Sequence, residues 1–287
     1  MHWKPQGVSV DIGLYFMNYH DKMPVLSALA DGASAQWTYL ENRKLYGVSA
    51  NFPVGNWAIG WELSYRPKDA VSLTGCYDNA TGPLDAISNP VLGINCPMFI
   101  DQKKYQMHLT GILLMTPGAH GWFLDLLKAD TATFTGEAVG IRYPGVSPDK
   151  RFTRSIGGVS VTQAPAAGYG FWKDDSTIGT LGYPTIAGVG DANSFGYTVD
   201  FNWAYDNKII KGWTVIPGVT YFQAVKGNTP TLTANYLQGA KSMNTYILFN
   251  QSAPTRWQAG INYTNYWGTN QLLSDRDFVG GFLTRNF

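Results

Sequence analysis

Phe195, Tyr197, Val199, Phe201, Trp203 and Tyr205 are all apolar or aromatic, and the residues between them are Gly196, Thr198, Asp200, Asn202 and Ala204. Trp57, Ile59, Trp61, Leu63 and Tyr65 repeat the pattern against Ala58, Gly60, Glu62, Ser64 and Arg66. It recurs in Trp257, Ala259, Ile261, Tyr263 and Trp267 against Gln258, Gly260, Asn262, Thr264 and Tyr266. Successive side chains of a strand point to opposite faces, so period two over this length means strands with one face in an apolar medium and the other in a polar one. A helix would scatter the same residues over all its sides.

The composition narrows the choice. Charged residues make up 14% of the 287, against about 25% in an ordinary soluble domain. Aromatics also reach 14%, with 10 Trp, 17 Tyr and 14 Phe. The most apolar run, Gly111 to Met115, is far short of the roughly 20 residues a spanning helix needs. If such a chain crosses a membrane, it crosses as a barrel, because lipid offers no partner to an unpaired backbone group. The net charge of +1 gives no footprint for nucleic acid. Met1-His-Trp-Lys-Pro5 lacks the basic segment and apolar core of an export signal, so the expectation is a mature form or a piece of a longer precursor.

Ten strands are expected, over 7–20, 43–54, 56–66, 103–116, 130–143, 193–206, 213–225, 240–251, 255–268 and 277–287. The long connections (21–42, 67–102, 144–192, 226–239, 269–276) alternate with shorter ones at Gly55, 117–129, 207–212 and 252–254. Residues 117–129 are the longest of the short set, with room for a short helix over 121–128. Outer-membrane barrels place long loops outside and short turns in the periplasm. The final segment agrees. Val279, Gly281, Leu283 and Phe287 fall on one face, interrupted by Arg285, as in a last strand that closes a barrel. The expected fold is therefore all-β, a transmembrane antiparallel up-and-down β-barrel of about ten strands forming one domain over 1–287. A soluble sandwich or sugar-binding barrel also alternates, but its strands are nearer five or six residues long and its polar face carries more Lys and Glu.

Several segments resemble a proteobacterial family of outer-membrane proteins of unknown function. They are Gly13-Leu-Tyr-Phe-Met-Asn-Tyr-His20 with Pro24-Val25, Tyr46-Gly-Val-Ser49, Glu62-Leu-Ser-Tyr-Arg-Pro67, Trp213-Thr-Val-Ile-Pro217 and Leu273-Ser-Asp-Arg-Asp-Phe278. The resemblance runs over nearly the whole chain and looks like the C-terminal half of that family's usual length. It implies a large barrel, often encoded near exporters of the resistance-nodulation-division type and proposed to move hydrophobic compounds. Closed alone, ten strands make a narrow barrel filled largely by side chains. Strands from a missing N-terminal half or another chain would widen it.

The expected lumen-lining residues are Asp11, Glu62, Arg66, Lys104, Gln106, His108, Glu137, Asp200, Asn202 and Asn262. Both charge signs occur among them, as suits a weakly selective polar interior; mutual pairing that merely fills the interior is the alternative. The long segment 144–192 is expected to gate entry through Tyr169, Phe171, Trp172 and Tyr183, while its Lys150, Arg151 and Arg154 suit lipopolysaccharide phosphates or a solvated loop face. His20-Asp21, with Asp275 and Asp277, brings omptin-type outer-membrane proteases to mind. Adjacent strand residues point to opposite faces, however, and no Gly-x-Ser-x-Gly is present. No catalytic residue, cofactor or metal site is assigned.

The functional expectation is a bacterial outer-membrane channel or conduit for small hydrophobic or amphipathic molecules. A structural or docking component of an envelope exporter complex, with a plugged lumen, is the alternative, and an omptin-like protease comes third. Expected partners are outer-membrane lipid and lipopolysaccharide, with exporter components or the missing half as further ones.

Cys76 and Cys96 are the only cysteines, both in a connection expected on the oxidising side. A bond between them closes a loop of about 20 residues, worth about 3 kcal/mol in the chain-entropy picture. Protein isolated without reductant should take up no thiol-alkylating label until it is reduced. Full labelling beforehand, read by mass spectrometry, would exclude the bond.

Overall fold

A computed structural model describes residues 2–3, 9–31, 34–74, 93–170, 185–252 and 256–286. β1 (His2–Trp3) and β2 (Asp11–Tyr19) come first, and the connection after β2 carries β3 (Val25–Ala28) and β4 (Ala35–Thr38). β5 (Arg43–Val54) and β6 (Trp57–Ser72) form a hairpin, β7 (Cys96–Pro97) follows, and β8 (Phe99–Met115) runs back beside β6. Helix α1 (Pro117–Leu127) leads into β9 (Thr131–Arg142). Four short strands come next: β10 (Phe152–Ile156), β11 (Val159–Gln163), β12 (Ala166–Gly170) and β13 (Thr185–Val189). The chain then runs through β14 (Asn193–Asp206), β15 (Trp213–Lys226), β16 (Ala240–Gln251), β17 (Arg256–Gly268) and β18 (Phe278–Asn286).

Ten long strands and the two-residue β1 build one antiparallel sheet in the order β1-β2-β5-β6-β8-β9-β14-β15-β16-β17-β18. Each long strand pairs with the long strand before it in sequence, which is an up-and-down order. Among the described residues the sheet stays open, with β1 and β18 as its terminal strands. No helix among them is long and apolar enough to cross a membrane.

The strands fall where the alternation puts them, and the expected bounds of β5, β14 and β16 to within a residue. β6 and β8 run further than expected. Pro67 reads as a stop because it has no N–H for a ladder. The register instead shifts between Arg66 and Asp69, and pairing resumes from Asp69 with Gln102 to Ser72 with Phe99. β2 starts later, at Asp11. α1 starts earlier than residue 121 because Pro117, whose missing N–H costs nothing in a first turn, opens it.

The connections alternate in length, so the sheet has a turn end and a loop end. At the loop end, β4, β3 and β7 make a small three-stranded sheet, and β10 with β11 and β12 with β13 form two hairpins. These elements were not legible as strands in the sequence. Val71, Leu73, Val139, Ile141, Tyr143 and Phe152 are packed together there in the largest buried apolar cluster.

Within the sheet, rings lie across glycines of neighbouring strands. A Cβ on Gly218 of β15 would sit 2.4 Å from Cζ of Tyr246 on β16. The Tyr246 ring thus crosses β15, and its hydroxyl lies 3.1 Å from both carboxylate oxygens of Asp200 on β14. Asp200 also accepts from Thr220 Oγ1 at 2.7 Å and Asn202 Nδ2 at 2.9 Å. Tyr15 over Gly47 and Phe282 over Gly260 repeat the device.

Gly218→Ala should therefore lift the Tyr246 ring and cost about 1–3 kcal/mol by overpacking. Tyr246→Phe should cost about 1 kcal/mol for the lost hydrogen bond. In a denaturant titration the double variant should lose less than the sum, because both changes break one contact.

Candidate functional site

The register sets all ten expected interior residues on one face. Gly13 pairs with Ser49, Ser49 with Glu62, Glu62 with His108, Thr110 with Glu137, and Glu137 with Thr198. Asp200 pairs with Thr220, Thr220 with Asn244, and Asn244 with Thr264. Counting by twos along each strand from these pairs places Asp11, Arg66, Lys104, Gln106, Asn202 and Asn262 on the same side. We call this the polar face.

Its side chains bond along and across strands. Gln106 Nε2 contacts His108 Nε2 on the same strand, and His108 Nδ1 lies 2.9 Å from Glu137 Oε1 on the next. Asn262 Nδ2 donates to Asn244 Oδ1 at 2.9 Å, and Thr264 Oγ1 donates to the same oxygen at 2.9 Å. Mutual pairing is thus one thing these residues do.

Toward the loop end the polar face becomes a charged cluster. Asp69 accepts from the Tyr143 hydroxyl at 2.6 Å, and Lys104 Nζ and Arg66 Nη1 each stand 3.4 Å from one of its oxygens. Arg43 is bound to Asp101 at 2.8 Å and faces Asp21 at 3.5 Å. Tyr143 is fully buried. Burial, with the Asp69 charge beside it, pushes its phenol well above the ordinary range, so it acts as a donor. Burial likewise raises the Asp21 carboxyl, with Asp69 adding to the rise and Arg43 opposing it. Sequence reasoning missed Asp69 because residues from Pro67 onward read as loop, and missed Arg43 and Tyr143 because they stand at the very ends of expected strands.

Two cavities lie along this face. One, of about 690 Å³, is bordered by Ser49, Asn51, Glu62, His108 and Thr110. The other, of about 550 Å³, lies at the loop end and includes Arg66, Asp69, Lys104 and Gln106. Gln106 and His108, in contact with each other, stand between them.

The loop-end cover comes in good part from residues 227–239. Tyr236 lies over Gly196 and stacks on Phe222 with centroids 6.0 Å apart. Pro230 accepts the Ser72 N–H at 2.9 Å, Thr231 accepts the Gly168 N–H at 3.0 Å, and the Thr229 hydroxyl lies 2.8 Å from Ser194 Oγ. This segment looked like an ordinary loop in the sequence, because nothing in Gly227-Asn-Thr-Pro-Thr announces an inward fold.

Of the expected gating residues, Tyr169 belongs to β12, while Phe171, Trp172 and Tyr183 lie outside the described residues. Val161, Ala166 and Ala167 of the same segment are fully buried, so this part of it belongs to the packed cap. Cys96 is buried and disulfide-bonded; Cys76 lies outside the described residues. Arg154 donates to the carbonyls of Pro97 at 2.6 Å and Phe99 at 3.2 Å and contacts Gln163. It acts as a tie between cap elements. Lys150 donates to the Gly145 carbonyl at 2.7 Å. No group of His, Cys, Asp and Glu able to hold a metal occurs among the described residues.

The opposite face is apolar and largely uncovered. Leu14, Phe16, Met107, Leu109, Ile261 and Leu283 each keep about half or more of their surface exposed. Aromatic rings line its two ends. Near the loop end, Phe16, Tyr46, Tyr65 and Tyr105 form a chain of ring contacts across four strands, at 5.1, 6.3 and 4.9 Å. Tyr197, Tyr221 and Trp267 continue it at 6.0 Å spacings. Near the turn end lie Trp57 against Phe134 at 5.8 Å and Phe201 against Trp203 at 5.4 Å. α1 packs there through Leu124 and Phe123 and leaves Trp122 and Leu126 exposed.

The fold and this two-faced surface define an all-β protein built on one up-and-down antiparallel sheet. The whole chain, residues 1–287, matches the model of a protein family of unknown function, DUF1302, and belongs to that family. No curated protein matches it.

Asp277, weighed above as a protease carboxylate, stands just before β18 as a hairpin clamp. It accepts from the Tyr266 N–H at 2.9 Å, Asn265 Nδ2 at 2.5 Å and the Tyr263 hydroxyl at 3.1 Å. The Tyr266 N–H, then Asn265, hold its carboxyl below the usual range. A depressed folded-state pKa stabilises above the unfolded value of about 3.9 and is lost as pH falls through the folded value. Protection of the Tyr266 amide, measured against the intrinsic exchange rate at each pH, should therefore fall on acidification below about pH 4. In Asp277→Asn protection should already be lower at neutral pH and respond little to acid.

Proposed function

We propose that this chain forms the wall of an outer-membrane β-barrel, a passive conduit for small hydrophobic or amphipathic molecules. The observation that carries this reading is the uncovered apolar face bounded by two aromatic belts. In water such a face would drive aggregation; in a bilayer it meets the hydrocarbon, with rings at both interfaces. Tyr65 and Trp57 lie eight residues apart on β6. That is about 26 Å along a strand, or about 20 Å along the bilayer normal at a tilt of about 40°, compatible with an apolar band of about 25 Å. Trp122 and Leu126 of α1 suit the interface at the turn end. The polar face then becomes the lumen wall, its two cavities successive chambers, and the long connections the extracellular side. Strands beyond β1 and β18, from this protein or another copy, would complete the ring.

A second reading, a docking component with a blocked lumen, is favoured by the packing of 227–239 over the polar face. Planar-bilayer recordings separate the two. The conduit reading expects conductance, or flux of an apolar dye, that rises when residues 229–237 give way to a short Gly-Ser linker. A silent protein that stays silent after this replacement supports the plugged scaffold.

The facing is tested separately. Ile261→Lys puts a charge into lipid near mid-strand and should cost about 2–4 kcal/mol in a folding titration in bilayers. Asn262→Lys faces the lumen and should cost only its lateral hydrogen bonds, about 1 kcal/mol each. Equal losses would rule out lipid on the Ile261 side.

A further inference from the structure

The loop-end cavity has a composition that points to one class of ligand. Its floor holds Arg66 and Lys104, and its sides hold Met17, Met23, Leu45 and Leu232. Asp69 is the carboxylate that both floor cations share, each at 3.4 Å, and it already accepts from Tyr143. The Arg66 Nε is buried with no acceptor. Asp21, at the rim, faces Arg43 at 3.5 Å, and His20 and Lys22 also border the space. The floor thus offers donors and positive charge in excess of what Asp69 satisfies, beneath an apolar wall. Its volume of about 550 Å³ lies within the range of small-molecule sites, about 300–1,000 Å³.

We propose that this cavity binds an amphiphile with a carboxylate head, the head seated on Arg66 and Lys104 and the apolar body against Met17, Met23, Leu45 and Leu232. The proposal rests on the conduit reading and names its cargo class: a second carboxylate gives Arg66 and Lys104 an acceptor beyond the one they share in Asp69. Buried cations left with a shared partner are costly, and a charge-assisted hydrogen bond to an incoming carboxylate offsets that cost. A neutral chain of the same length gains only the apolar contact.

The test uses the full chain in nanodiscs and two fluorescent probes, a dye-labelled medium-chain carboxylic acid and the same labelled chain ending in an alcohol. The acid should bind at least about tenfold more tightly than the alcohol, the worth of one charged hydrogen bond. Lys104→Met should abolish the preference by weakening the acid. Because loss of a buried cation can unfold the loop end, Thr233→Glu is the second variant. It sets a negative charge on an exposed residue at the cavity border, outside the proposed contacts, and should weaken the acid by about tenfold with little effect on the alcohol. Equal affinity for the two probes, or no binding of either, overturns the carboxylate site, and dye flux into liposomes carrying the protein would leave the conduit standing. A preference that survives both variants also overturns it. Acid-selective binding without flux keeps the site and removes the conduit.

Discussion

Everything in this chain depends on the ladder of backbone hydrogen bonds between antiparallel strands. A strand satisfies its N–H and C=O groups only through its neighbours, so ten long strands become one continuous surface with two faces. Period two then sorts the side chains without further instruction. The sorting runs through the registers from β2 to β18 and is reset only between Arg66 and Asp69 and between Phe195 and Gly196, where a slip of one residue turns the later side chains over. That is why Pro67 matters. Its missing donor is absorbed by the bulge, so β6 continues to Ser72 and Asp69 comes to face Lys104.

The polar face is held by groups that reach across strands. Tyr246 crosses β15 only because Gly218 has no side chain, and this brings its hydroxyl to Asp200, two strands away. His108 ties β8 to β9 through Glu137. Such contacts use up part of the polar surface, whereas at the loop end Arg66 and Lys104 share one carboxylate, Asp69.

Much of this was legible in the sequence because alternation is a local signal. Trp57 to Tyr65, Phe195 to Tyr205 and Trp257 to Tyr263 announce both the strand and its facing, and the ten polar residues chosen by parity do share one face. The rest was hidden for physical reasons. β3, β4 and β10 to β13 are four or five residues long, too short for a period to show, and pair only because the cap folds. Tyr143 and Arg43 sit at strand ends, where parity is weakest. Thr229 and Tyr236 act through contacts with Ser194 and Gly196, more than 30 positions away, and no local pattern carries that information. The aromatic belts were present in the sequence as isolated rings; only the register aligns Phe16, Tyr46, Tyr65 and Tyr105 into one row.

The cap and the conduit look opposed, since residues 227–239 cover the end through which a ligand would enter. Their packing argues that the opposition is one of degree. The segment meets the sheet mainly through Pro230, Ala234, Tyr236 and Leu237, whereas Leu232, Thr233 and Asn235 border the charged cavity. One side of the segment is anchored in the apolar cluster and the other lines the space above Arg66 and Lys104. An inert plug would have no need for a cavity beneath it. A floor rich in donors, an apolar wall and a roof fixed along one edge together form a chamber, and in the proposed barrel that chamber is the first stop on the polar path toward His108 and Glu137.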